Sequence, residues 1–154
     1  SYRRNIGVVF QDFRLLPKLT VFENIAFALE VIGMSKSAIR KRVREVLELV
    51  SLSEKAQAFP HELSGGQQQR ATIGRAIANH PKVLIADEPT GNLDPQMSAE
   101  IMELLEKINQ VEKTTILMVT HDSNIVDTYK KRTISLEEGY IVADIMKGGY
   151  LNNV

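Results

Sequence analysis

Three short apolar runs stop abruptly at polar residues, and this constrains the fold more than any other feature of the chain. Residues 6–10 end at Gln11, residues 83–86 at Asp87-Glu88, and residues 115–120 at His121. Runs this short, rich in β-branched side chains and continuous rather than alternating, read as strands buried on both faces of a parallel sheet. Segments of helical period separate them, so the expected class is α/β with a parallel sheet core. Ligands bind beyond the carboxyl ends of the strands in such sheets. Gln11, Asp87, Glu88 and His121 therefore fall on one rim.

The helices carry their own start and stop signals. Thr20-Val21-Phe22-Glu23 has the form of a capping box, predicting a helix to about Val31 that Gly33 ends. Ile39, Val43, Val46, Leu47 and Val50 recur at helical spacing, predicting an amphipathic helix over 36–50. Lys36, Arg40, Lys41, Arg42 and Arg44 are assigned to its polar face, either solvated or meeting a partner or lipid headgroups. A helix follows Ser64-Gly65-Gly66-Gln67 to about Asn79. Asp94 as N-cap and Pro95 at the first position open another, with Ile101, Leu104, Leu105 and Ile108 as its buried stripe. A short helix over 122–129 precedes two strands, 133–136 and 140–145, turning at Glu138-Gly139.

Composition removes several classes. The chain has 154 residues, one domain's length, with 44% hydrophobic and 25% charged residues and a net charge of zero. Nothing overall draws it to nucleic acid or to an anionic surface. Cysteine is absent, which removes disulfides and zinc–thiolate sites. No apolar run approaches the roughly 20 residues of a spanning helix.

The chemistry-bearing residues cluster at the strand ends. Asp87 can bind magnesium, which keeps several waters and takes few protein ligands. Glu88 can orient and deprotonate a water that attacks a phosphate. At Ser64-Gly65-Gly66 two glycines let backbone amides approach an anion at a helix N-terminus, and the Ser64 hydroxyl can donate as well. The Gln11 carbonyl can reach a metal or the attacking water, and His121 can hydrogen-bond a phosphate. Each of these has a plainer reading as a helix cap or a polar strand end. His61 and His80 flank prolines without a partner at ligand spacing.

Their order decides. Gln11, then helices, then Leu63-Ser64-Gly65-Gly66-Gln67, then the strand ending in Asp87-Glu88, then Leu93-Asp94, then His121, resembles the ABC ATPase family. Those elements correspond to its Q-loop, signature, Walker B, D-loop and switch histidine. The resemblance implies a partial P-loop NTPase-type ABC ATPase domain. Its helical subdomain would be inserted at about 18–65, with 1–17 and 66–154 as catalytic core. It implies ATP and Mg2+ as cofactors and a head-to-tail homodimer that sandwiches nucleotide. By the same resemblance, Gln11 and Asp87 contact the metal, Glu88 is the general base, and His121 stabilises the transition state. Ser64, Gly65 and Gly66, supported by Gln67, grip the ATP held by the opposite subunit, and Asp94 bridges the dimer. Gly74 departs from the alanine usual at its position.

A phosphate-binding loop of the form G-x-x-x-x-G-K-[ST] does not occur in the sequence. In this family it lies upstream of the Q-loop, so the expectation is a chain that opens inside a longer protein. Residues 6–17, 20–25, 86–95 and 139–142 are similar to the cell-division members of the family. That implies a peripheral protein on the cytoplasmic face of the membrane, with an FtsX-like integral membrane partner and no nucleic acid. The alternative is a lipoprotein-release or macrolide-efflux ATPase, which shares the block around Asp87-Glu88. A DNA-repair or chromosome-structuring member would carry a long coiled coil between Gln11 and Ser64, where about fifty residues here hold short helices.

Overall fold

The structure, a computed structural model, describes residues 5–146. They form two units, one ending at Val119 and the other beginning at Thr120. The first contains β1 (Ile6–Val9), α1 (Val21–Val31), α2 (Lys36–Leu49), α3 (Gly65–Ile77), β2 (Val83–Asp87), α4 (Pro95–Val111) and β3 (Thr115–Val119). Two 3-10 turns, Ser53–Lys55 and Pro60–Glu62, lie between α2 and α3. The second unit contains α5 (Ser123–Tyr129), β4 (Thr133–Glu137) and β5 (Tyr140–Ile145).

The expected parallel sheet is present, in the order β1-β2-β3. Val9 pairs with Ala86 and Ala86 with Met118, so all three strands end on one rim. Leu84 and Ala86 of the central strand are fully buried. The edge strand β3 is not: Leu117 is 54% and Val119 50% exposed. Among the described residues β3 pairs with β2 alone, leaving a row of backbone donors and acceptors open on its other side.

Local chemistry sets the helix starts. Thr20 and Glu23 close a reciprocal capping box on α1, and Ser64 and Gln67 close another on α3. Ser35 caps α2 by accepting from the Ala38 N–H. Asp94 accepts from the Met97 N–H at 2.8 Å, with Pro95 first in α4. The apolar stripes of α1 and α2 meet α3 at Gly74. A Cβ there would stand 3.0 Å from Val46 Cγ1 and 3.3 Å from Ile25 Cδ1, so the glycine lets the three helices approach. At Gly7 a Cβ would lie 2.5 Å from the Ala76 carbonyl oxygen, so β1 runs directly against the α3 backbone.

Arg42 departs from the polar face that periodicity assigned to it. Only 7% exposed, it turns inward across the carboxyl ends of two helices. Its Nε donates to Ala78 O at 2.8 Å and its Nη2 to Ile77 O at 3.0 Å, just where α3 ends. The same Nη2 reaches Glu112, the C-cap of α4, at 2.9 Å. A cation is favoured at helix carboxyl ends, and a buried guanidinium needs several acceptors. Glu112 also stands 3.4 Å from His80 Nδ1, a carboxylate partner that spacing along the chain did not reveal. His61 stacks on Phe59.

Asn24 is fully buried and fully used. Its Nδ2 donates to Leu16 O, Leu19 O and Thr20 O, and its Oδ1 accepts from the Leu16 N–H. This pins the segment entering α1. In the second unit β4 and β5 are antiparallel, with Glu137 opposite Tyr140. Glu138 and Gly139 sit at φ 48° and 82°, the left-handed pair that a two-residue hairpin turn requires.

Candidate functional site

The rim of the sheet is built from two strand ends. β2 runs to Asp87, which is exposed, and Glu88 extends the pairing by donating its N–H to Val119 O at 2.8 Å. The backbone then turns sharply: Glu88 has φ 45°, left-handed for a residue with a side chain. Such conformations cost of order 1–3 kcal/mol and persist where the surroundings impose them, often at working sites. Hydrogen bonds from Gly91 N to Glu88 O and from Leu93 N to Thr90 O close the turn that leads into α4.

Gln11, past the end of β1, is drawn onto this turn. Its Nε2 donates to Asn92 Oδ1 at 3.1 Å, while Asn92 Nδ2 donates to the Gln11 carbonyl at 3.2 Å. Gly91 makes room for the pair, since a Cβ there would come within 2.5 Å of Gln11 Nε2. Gln11 and the Asp87-Glu88 turn are thus joined directly, although 81 residues separate Gln11 from Asn92.

The turn before α3 comes to the same region. Ser64 is exposed, and its Oγ accepts from the Gln67 N–H, which leaves the hydroxyl proton available to a ligand. The Gln67 side chain accepts from the Ser64 N–H at 3.0 Å and fixes the serine's backbone. Gly65 packs beside Leu93 and Phe13, and Gly66 beside Met97, so this turn lies against the start of α4. Asp94, exposed, is engaged as the α4 cap.

Three side chains of α3 hold the segment after β1. Gln69, fully buried, donates to Phe10 O at 3.3 Å and to Pro89 O at 2.6 Å, joining the Gln11 segment to the turn after Glu88. Its Oε1 has no hydrogen-bond partner among the described residues. Thr72 Oγ1 donates to Phe13 O at 2.9 Å, and Arg75 Nη1 to Arg14 O at 2.9 Å. Burial pulls the Arg75 guanidinium below its ordinary pKa. Phe13 and Arg14 both take left-handed φ, and the Arg14 guanidinium lies 3.9 Å over the Phe10 ring.

The structure therefore brings Gln11, Asp87, Glu88, Asp94 and the Ser64–Gln67 turn into one connected assembly within the first unit. His121 is exposed and belongs to the second. Gln69, Thr72, Arg75 and Asn92 were not singled out by the sequence; Asn92 alone lies inside a matched block, 86–95, while the other three follow the Leu63–Gln67 motif along α3. The donor chemistry fits a hard, hydrated cation. Asp87 offers a carboxylate and Gln11 an amide oxygen, and no three His, Cys, Asp or Glu side chains among the described residues form a cage. Magnesium, which keeps its waters and takes one or two protein oxygens beside phosphates, suits such a set.

The chain matches known proteins along most of its length. The ABC transporter family model matches residues 1–91. The cell division ATP-binding protein FtsE of Bacillus subtilis is 63% identical over 148 residues, covering 96% of this chain and 64% of that protein. FtsE of Mycobacterium tuberculosis is 57% identical over the same shares. The chain thus spans 64% of the length of these curated relatives. Among solved structures, the ATP-binding cassette MJ0796, a dimer in a post-hydrolysis state bound to ADP and Pi, superposes with a TM-score of 0.79 at 40% identity. That match covers 96% of this chain and 66% of the other.

Proposed function

This chain belongs to the ABC transporter family, and from that premise we propose that the whole protein is the ATP-hydrolysing subunit of an FtsE-type cell-division complex. The observation that carries the reading is the joining of Gln11 to the Asp87-Glu88 turn, with α3 tied to both through Gln69. The 63% identity to a cell-division relative favours this branch over lipoprotein release or macrolide efflux.

In this reading residues 18–65 are the inserted helical subdomain, and 1–17 with 66–154 are catalytic core. Asp87 and the Gln11 oxygen hold Mg2+, which neutralises phosphate charge when bound. The Glu88 carboxylate orients the attacking water and takes its proton. His121 donates to the phosphoryl group as charge develops. Ser64 and the amides of Gly65 and Gly66 present donors and a positive helix end to the ATP of a second copy, with Asp94 at the dimer contact. Two copies arranged head to tail complete two sites. Among the described residues no helix is long and apolar enough to cross a membrane. The protein reaches the cytoplasmic face through an FtsX-like integral partner, whose response to ATP turnover regulates peptidoglycan hydrolases.

Glu88→Gln in the whole protein is the test. The glutamine keeps the shape but cannot accept the proton, so an ATP-bound dimer should accumulate on size exclusion and still co-purify with the FtsX-like partner. Turnover at the parental rate would refute the general-base role.

A further inference from the structure

We propose that Asn92, seated by Gly91, is a positioning residue that fixes which end of the Gln11 amide faces the metal site. This rests on the metal-binding role proposed above for Gln11. A side-chain amide presents an oxygen and a nitrogen of nearly equal size, and only the oxygen can bind a cation. Left to rotate, Gln11 would offer the wrong end for much of the time.

The hydrogen bonds around Asn92 remove that ambiguity. The Gln11 backbone carbonyl can only accept, so the Asn92 atom 3.2 Å from it is the donor Nδ2. Asn92 Oδ1 is then the atom facing the Gln11 side chain, and as an acceptor it requires Nε2 at 3.1 Å. With Nε2 committed, Gln11 Oε1 is the end left to face away from Asn92. The orientation thus follows from a backbone group that cannot change its polarity. Gly91 is the second part of the device. A methyl there would reach 2.5 Å from Nε2 and 2.7 Å from Cδ of Gln11, so any larger residue pushes the amide out of the clasp. Residues 91 and 92 belong to the same turn as Glu88, so the orientation of the Gln11 amide and the position of Glu88 are set by one piece of backbone.

The test uses the whole protein with ATP and Mn2+ as the metal probe, bound metal being read by electron paramagnetic resonance beside the Mg2+ dependence of turnover. Gln11→Ala, Asn92→Ala and Gly91→Ala should each weaken Mn2+ binding while nucleotide affinity holds. The two turn variants should do so by about two- to tenfold, the range of one net hydrogen bond. Combining Asn92→Ala with Gln11→Ala should add nothing to the effect of Gln11→Ala alone. Unchanged metal affinity in Asn92→Ala and Gly91→Ala, with a clear loss in Gln11→Ala, overturns the positioning role and leaves the Gln11 role standing. Unchanged affinity in Gln11→Ala overturns both. A lowered melting temperature with unaltered metal affinity would make Asn92 a turn-stabilising residue only, which also refutes the proposal.

Discussion

Replacing Arg42 with methionine keeps the buried stem and removes the charged fork. The change leaves Ile77 O, Ala78 O and one Glu112 oxygen without the donor they share at 2.8–3.0 Å. Bonds to a charged donor contribute about 1.5–3 kcal/mol each, but water reaches part of Glu112, which is 16% exposed. Breaking a buried pair from one side costs about 3–5 kcal/mol, and we expect Arg42→Met to fall there. With a urea slope near 2 kcal/mol/M, the unfolding midpoint followed by far-UV circular dichroism should drop by about 1.5–2.5 M. Arg44→Met, on the exposed face of the same helix, should stay within about 0.5 kcal/mol of the parent. Arg42→Lys keeps the charge but cannot reach three acceptors, so an intermediate loss is expected. A midpoint for Arg42→Met within about 0.3 M of the parent would show that the helix ends are satisfied without it.

Asn24→Ala removes four hydrogen bonds at a fully buried site and should cost about 2–4 kcal/mol. Hydrogen exchange should localise the loosening to residues 16–20, and protection equal to the parent's there would contradict it. In the second unit, the hydrogen bond from Arg132, with its charge, holds the Asp144 carboxyl below the ordinary carboxylate range. Because the folded value lies below the unfolded one, the pair's support is present above the usual carboxylate pKa and lost as pH falls through the lowered value. Hairpin amide shifts of β4 and β5 should therefore titrate in acid, and Arg132→Met should move that titration back up. The 154-residue chain alone is expected to give no steady-state ATP turnover, since its sequence carries no phosphate-binding lysine and loop. A measurable rate from the purified chain would refute this.

The strands and helices were legible because their signals are local. Thr20 with Glu23, Asp94 with Pro95, and the apolar run into Asp87 declare themselves within a few residues, and the observed elements start where those signals predict. The strand ends also marked Gln11, Asp87 and Glu88 as neighbours on a rim, whereas His121, expected on the same rim, belongs to the second unit. What pattern could not supply was pairing across distance. Arg42 sits in a run of basic residues and reads as solvated, yet its acceptors lie 35, 36 and 70 positions away. The Gln11–Asn92 clasp spans 81 positions, and Gln69 bridges carbonyls 59 and 20 positions distant. In the sequence Gly74 stands out only as a departure from the usual alanine; the packing of Val46 and Ile25 against it gives the reason, offsetting a glycine's poor helix propensity.

The contact of Gly7 with Ala76 and the grip of Gln69, Thr72 and Arg75 on Phe10, Phe13 and Arg14 have a mechanical consequence. Backbone touches backbone at one end, and side chains clamp carbonyls along the rest, so little slack remains between the strand, its loop and the helix. Such an assembly acts as a stiff lever rather than a spring. A displacement imposed on residues 10–14 is therefore expected to reach Ser64 and Gly65 at the head of the helix instead of being absorbed on the way.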